Sequence, residues 1–169
     1  YHFTASLQSL RQKATSANYT SYDAGINGIM LDVLGSPSPE SIAPSDFVFR
    51  VGNNDDPDRW LPVAGDEPQV VVRPGEGVGN SDRVTVVWQD GQVRGTWLEV
   101  TLQATLNSGL HTADTFYFGN APGDTGESDE HAYVNATDVG AARNHPRSLT
   151  NPAPPDDPYD FNRDRLVDG

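Results

Sequence analysis

The chain has 169 residues, and its 24 acidic residues against 11 Lys and Arg give a formal net charge of −13. This charge argues against a nucleic-acid partner, because phosphates would be repelled. The absence of Cys excludes disulfides and thiol chemistry. No stretch approaches the roughly 18 apolar residues of a membrane span, so none is predicted. Abundant Gly and Pro are typical of a loop-rich β protein that is extracellular or on the cell surface.

Alternating apolar and polar residues predict short β-strands in the first 118 residues. The predicted strands are 26–34, 46–51, 69–73, 83–88, 96–104 and 115–118. Asp90-Gly91 separates two of them and predicts a β-hairpin, because Gly accepts the positive φ of a tight turn. The pattern predicts a mainly β fold: an antiparallel β-sandwich, jelly-roll or immunoglobulin-like, over residues 1–118.

The composition changes after residue 118, where acids and turn-forming residues become frequent. Residues 134–144 then predict a short helix, with Asn135 or Thr137 as its N-cap. Residues 119–169 are therefore expected to form a second, smaller module.

The last ten residues carry a calcium-loop pattern. Asp160, Asn162 and Asp164 occupy positions 1, 3 and 5 of such a loop, which is the spacing at which EF-hand loops supply oxygen ligands. Leu166, at position 7, would add its main-chain carbonyl, and Asp168, at position 9, would hold a ligating water. This spacing predicts a Ca²⁺ site.

Two features of this loop depart from the pattern. Position 6, which is normally Gly, is Arg165, and position 12 lies beyond Gly169. We therefore expect a loop that is cut short and a chain that is part of a longer protein.

A second calcium loop is predicted upstream, because residues 134–138 match the end of a loop-helix unit with Asp138 as the acid of position 12. Counting back without gaps puts a His at position 5, and His is a poor ligand for calcium. An insertion is therefore expected, with Asp124 opening the loop and Glu127 or Asp129 inside it.

Residues 119–169 resemble a dockerin type I module. Such modules carry two loop-helix calcium repeats, each of which ends in the Val-Asn-x-Thr-Asp style of residues 134–138. The resemblance implies a small α module with EF-hand loops and a cohesin-like partner protein. It also implies that Ala136 and Thr137, at positions 10 and 11, influence the choice of partner.

The whole chain resembles a C-terminal region of large secreted bacterial proteins, in which a sandwich domain precedes dockerin-like repeats. The strings that carry this resemblance are 18–22, 25–30, 49–52, 81–85 and 116–120.

Three functions follow as hypotheses. The first is a non-catalytic, calcium-binding extracellular module for protein–protein attachment or cell-surface assembly. The second is a carbohydrate-binding module; Trp60 lies in the polar loop 51–68 and is either exposed to a sugar or packed onto the sandwich. The third is a subunit of a polymerising fibre whose partner is a neighbouring copy, which the segment 1–7 would suit.

An enzyme is not predicted. The four His residues lack the spacing of a zinc site, and no Gly-x-Ser-x-Gly elbow is present. The acidic residues within 55–58 are more typical of a solvated loop than of the catalytic carboxylate pair of a glycosidase.

Overall fold

A computed structural model describes residues 4–5, 18–126, 128 and 133–168 of the chain. These residues form a mainly β protein with two sheets and one short α-helix. The predicted class is therefore confirmed at this level.

The first sheet has four strands in the order β1-β3-β7-β6. Their bounds are Thr4–Ala5 (β1), Gly28–Val33 (β3), Asp82–Val87 (β7) and Gln69–Arg73 (β6). The second sheet has five strands in the order β2-β9-β8-β4-β5. Their bounds are Tyr19–Thr20 (β2), Asp114–Asn120 (β9), Trp97–Leu102 (β8), Phe47–Gly52 (β4) and Leu61–Pro62 (β5). The pairs β1–β3 and β2–β9 are parallel and the others antiparallel.

The core consists of the apolar side chains that alternate along the strands of both sheets. In β3 every second residue is buried, and β8 buries Leu98, Val100 and Leu102. Because side chains alternate between the faces of a strand, the residues between them face outward. Trp97 and Thr101 of β8 therefore lie on the outer face of the second sheet, where both are half-buried.

The hairpin predicted at Asp90-Gly91 is wrong. The strand before it, β7, pairs with β3 and β6 of the first sheet, whereas β8 belongs to the second sheet. Residues 88–96 therefore cross between the sheets. Val93, which is fully buried, accepts a hydrogen bond from the amide of Ile26 at 2.8 Å, so the crossing segment is itself part of the core.

The polar loop 51–68 packs onto the sandwich. It contains β5, and Trp60 is only 8% exposed. The Trp60 indole N–H donates to the side chain of Asn54 at 3.0 Å, and its ring meets Tyr117 edge-on with centroids 5.9 Å apart. A Cβ on Gly52 would lie 2.3 Å from this ring, so the indole covers the glycine directly. Of the two interpretations of Trp60, packing is therefore the one that the structure shows.

Among the described residues one α-helix, α1, spans Ala136–Asn144 and confirms the short helix predicted over 134–144. Asn135 is its N-cap, and its side-chain oxygen accepts a hydrogen bond from the amide of Thr137 at 2.7 Å. Within the described ranges, no helix has the length and apolar character needed to cross a bilayer.

Candidate metal centre

The predicted second calcium loop closes around a buried carboxylate. Asp160 is 2% exposed, and its Oδ2 accepts a hydrogen bond from the amide of Arg165 at 2.9 Å. Its other oxygen, Oδ1, is buried and has no hydrogen-bond partner among the described residues. Buried polar atoms are almost always paired, because losing water without a replacement costs free energy. Position 1 of this loop therefore presents an unsatisfied, negatively charged oxygen.

The other two predicted ligands of this loop hold its backbone. Asn162 Oδ1 accepts from the amide of Asp164 at 3.2 Å, and Asp164 Oδ1 accepts from the amide of Leu166 at 2.8 Å. The side-chain Nδ2 of Asn162 also donates to Asp164 Oδ2 at 2.9 Å. Both side chains are exposed. The i, i+2, i+4 spacing thus produces a series of Asx turns, which brings oxygen-bearing side chains to one short loop.

Arg165 adopts the conformation that a glycine would favour. Its φ is 72°, in the left-handed region, where an L side chain is strained by about 1 kcal/mol. Thus the departure at position 6 changes the residue but leaves the sharp turn in place.

Replacing Arg165 by Gly relieves this strain and is therefore expected to stabilise the protein. The gain should be less than about 1 kcal/mol, because Gly also gains conformational entropy in the unfolded chain. Urea unfolding with calcium held constant measures the change. Arg165→Ala is the matched control, because it removes the same side chain and keeps the strain. An equal gain in both variants would assign the effect to the side chain rather than to the backbone.

The first predicted loop opens on a carboxylate of the same kind. Asp124 is 1% exposed, and its Oδ1 accepts hydrogen bonds from the Tyr19 hydroxyl and, at 2.8 Å, from the amide of Gly126. Its Oδ2 is buried and without a hydrogen-bond partner among the described residues. The opening acids of both predicted loops therefore have one paired oxygen and one that is unsatisfied.

Asp138 ties the two ends of the first loop together. It is 1% exposed; Oδ1 accepts from the amide and hydroxyl of Thr125 at 2.8 and 2.9 Å, and Oδ2 accepts from the amide of Asn135 at 2.8 Å. The latter bond completes a capping box at the start of α1. Asp138 therefore lies next to Thr125, the residue after Asp124, as the loop assignment requires. The two Asp138 oxygens already accept these three hydrogen bonds from Thr125 and Asn135.

The remaining predicted ligands differ in what the structure shows of them. Asp129 and Glu127 lie outside the described residues. Leu166 is half-buried and Asp168 is exposed.

Among the described residues, no three His, Cys, Asp or Glu side chains converge on one point as a complete metal site. At positions 1, 3 and 5 the second loop offers two carboxylates and an amide, with a third carboxylate at position 9, and the described part of the first loop offers two carboxylates.

The residues present nevertheless fit a hard cation. Ca²⁺ takes carboxylate, amide and main-chain oxygens, and these are the groups found in the second loop. A cation at Asp124 Oδ2 or Asp160 Oδ1 would supply the charge partner that a buried carboxylate needs. Asp160, Asn162 and Asp164 would hold one ion, and Asp124 with Asp138 would contribute to a second.

Both loops contact the sandwich. Tyr19 of β2 reaches Asp124, and the amide of Asp23 donates to the main-chain oxygen of Phe161 at 2.9 Å. A cavity of about 140 Å³ lies at this junction, and its charged lining residues are Asp124, Asp156 and Arg163. Sequence reasoning missed Tyr19, since it lies 105 positions from Asp124 and no local pattern connects them.

The structure around the second loop is completed by a short bridge. Arg147 and Val167 exchange main-chain hydrogen bonds at 3.2 and 3.3 Å. The Arg147 guanidinium also pairs with the buried carboxylate of Asp157 at 3.0 Å. These contacts fix the end of the loop that follows Asp164 against the segment that leaves α1.

The chain matches no protein-family model, no curated protein and no solved structure.

Proposed function

We propose that this chain is a non-catalytic, calcium-binding module of the cell exterior, in which two loops hold Ca²⁺ and fix residues 119–168 to the β-sandwich. The observation that supports this most is the pair of buried, unsatisfied carboxylate oxygens, Asp124 Oδ2 and Asp160 Oδ1. Each belongs to the residue that the sequence places at position 1 of a calcium loop. A bound cation would supply the missing partner of both oxygens.

The attachment role rests on the resemblance to dockerin type I modules. Ala136 and Thr137, which correspond to the residues that influence partner choice, are both exposed in the first turn of α1. They are accessible to a cohesin-like protein or to a neighbouring subunit. Calcium would then act by ordering the surface that the partner contacts.

Calorimetric titration of the chelated protein with Ca²⁺ tests the proposal. Two binding events are expected, one of which is lost in Asp160→Asn and the other in Asp124→Asn. Asp55→Asn is the matched control: it removes one charge from an exposed position and should leave both events unchanged. Absence of any heat of binding in the unmodified protein would contradict the proposal.

A further inference from the structure

A cleft of about 530 Å³ lies at one end of the second sheet. Its floor is the outer face of β2, β9 and β8, and its edge is lined by Pro122, which precedes the first loop, and by Val134, which lies within it. The cleft is thus separate from the unsatisfied oxygens of both loops, although Tyr19 borders both the cleft and the cavity at Asp124.

Two aromatic residues and a glycine form the floor. Tyr19, Gly119 and Trp97 are directly opposite one another on three neighbouring strands. Residues opposite one another project to the same face of a sheet, so Tyr19 and Trp97 lie on either side of Gly119 on that face. A Cβ on Gly119 would lie 2.8 Å from Tyr19 Cβ and 3.0 Å from the Trp97 ring. Any larger residue at position 119 would therefore collide with both side chains.

The polar groups of the cleft are neutral. None of the described residues that line it is charged, although charged residues make up 21% of this chain. The polar side chains of the lining are hydroxyls and amides, among them Thr96, Asn53 and Asn120. Such a surface neither attracts nor repels an ionic ligand by a charge of its own, so it suits an uncharged ligand.

The amide groups are held rigidly. Asn120 is buried, donates to the main-chain oxygens of Thr20 and Tyr22 at 3.1 and 2.8 Å, and accepts from the amide of Gly95 at 2.8 Å. Asn53 donates to the main-chain oxygen of Gly95 at 3.0 Å. These bonds join β2, β9 and the segment before β8, so the floor is ordered without a ligand and binding would lose little conformational entropy.

We propose that this cleft binds a neutral carbohydrate, with a sugar ring stacked on Trp97 and a further contact from Tyr133. An aromatic ring offers a flat apolar face to the C–H groups of a sugar, while hydroxyls and amides at the rim exchange hydrogen bonds with its OH groups. Tyr133 is 72% exposed at the edge of the cleft, which leaves its ring accessible. The sugar hypothesis thus moves from Trp60, which is buried, to Trp97.

Affinity electrophoresis of the full chain through gels that contain soluble neutral polysaccharides tests this proposal. The probes are a β-glucan, a xylan, a mannan and a galactan, each run in calcium and in chelator. Retardation by at least one probe is expected. Trp97→Ala and Tyr133→Ala are each expected to weaken binding by about tenfold, which corresponds to the loss of one well-placed aromatic contact.

Two variants serve as controls. Tyr133→Phe keeps the ring and should retain binding if stacking is the contact. Leu149→Ala removes an apolar side chain that is 88% exposed and lies outside the cleft, so it should have no effect. Unretarded migration of the unmodified protein with every probe, or retardation that the Trp97 and Tyr133 substitutions leave unchanged, would overturn the proposal.

Tryptophan fluorescence tests the proposal on the unmodified protein, so the result does not depend on whether any variant folds. Of the three tryptophans, Trp60 and Trp88 are 8% and 4% exposed, so quenching by a small solute reports mainly on Trp97. Acrylamide is a suitable quencher because it is uncharged and the negative chain does not repel it. A bound polysaccharide is expected to protect the accessible fraction from quenching. Equal quenching with and without a retarding polysaccharide would place the sugar elsewhere and overturn the proposal.

Discussion

In millimolar Ca²⁺, Asp160→Asn is expected to lower the free energy of unfolding by about 3 kcal/mol. In chelator the same substitution is expected to leave stability unchanged or to raise it. The first value is the stabilisation that a ligand adds when it binds only the folded state and is present at about 100 times its Kd. The second follows because the substitution removes a buried negative charge whose Oδ1 is unpaired.

The reversal of sign distinguishes a metal ligand from a structural acid. Asp160 Oδ2 accepts the amide hydrogen of Arg165, and the oxygen of an Asn side chain can accept it equally well. A purely structural Asp160 would therefore show the same small change in both conditions. If Asp160 is a metal ligand, Asp160→Asn will show a large loss of stability in calcium and no loss in chelator.

Urea unfolding of the unmodified protein, Asp160→Asn and Asp124→Asn, each in Ca²⁺ and in chelator, measures the effect. Asp124→Asn is expected to show the same reversal, since its Oδ2 is also buried and unpaired. The exposed Asp55→Asn serves again as the control for loss of one charge. Equal stabilities in Ca²⁺ and chelator for the unmodified protein would show that calcium does not stabilise this fold.

The strands were predictable where burial on one face imposes a period of two on the sequence. All six predicted strands have a counterpart in the structure, and 69–73 coincides with β6. The strands β1, β2 and β5 were not predicted, because two residues are too few to show a period. They exist through pairing with β3, β9 and β4, which is a tertiary effect.

The hairpin prediction failed for a related reason. Asp90-Gly91 reports a local turn, and Gly91 does adopt a φ of 79°. Which strands pair is decided by packing across the whole domain, and here it places β7 and β8 in different sheets. A turn signal predicts the bend of the chain but not the partner of the strand that follows it.

In the candidate site, too, local features were predictable from the sequence and long-range contacts were not. The spacing of Asp160, Asn162 and Asp164 is local, and so is the capping box of Asn135 and Asp138; both could be read from the sequence. The contact of this loop with Asp23, through the main-chain oxygen of Phe161, is long-range and could not. Neither could the aromatic floor of the cleft, which needs the register of three strands before Tyr19 and Trp97 are known to share a face.

Asp46 offers the second large effect, because its carboxylate is the centre of a buried hydrogen-bond network. It is 3% exposed and accepts from the Thr105 hydroxyl at 2.7 Å, from the amide of Ala43 at 2.9 Å, and from the side chain of Asn107 at 3.1 and 3.2 Å. Burial would raise the pKa of Asp46, but these hydrogen bonds to the charged form outweigh it, and the pKa lies below its ordinary value.

Asp46→Ala is therefore expected to destabilise the protein by about 3 kcal/mol, because three donors lose their acceptor. Ser45→Ala is the matched control, since it changes an exposed side chain in the same turn. A loss of less than about 1 kcal/mol in Asp46→Ala, or an equal loss in the control, would show that the network contributes little net stability.

The depressed pKa also sets the direction of a pH effect. A carboxylate whose pKa is lower in the folded state contributes stability that is fully present above its unfolded pKa, about 3.9, and is lost as the pH falls through the folded pKa. The unmodified protein should therefore lose stability below about pH 4 more steeply than Asp46→Asn, which has no proton to bind at this position. Urea unfolding between neutral pH and pH 3, in chelator so that calcium release does not contribute, compares the two slopes. Parallel slopes would mean that Asp46 binds its proton equally in the folded and unfolded states, and the hydrogen bonds from Thr105, Ala43 and Asn107 would then not favour its charged form.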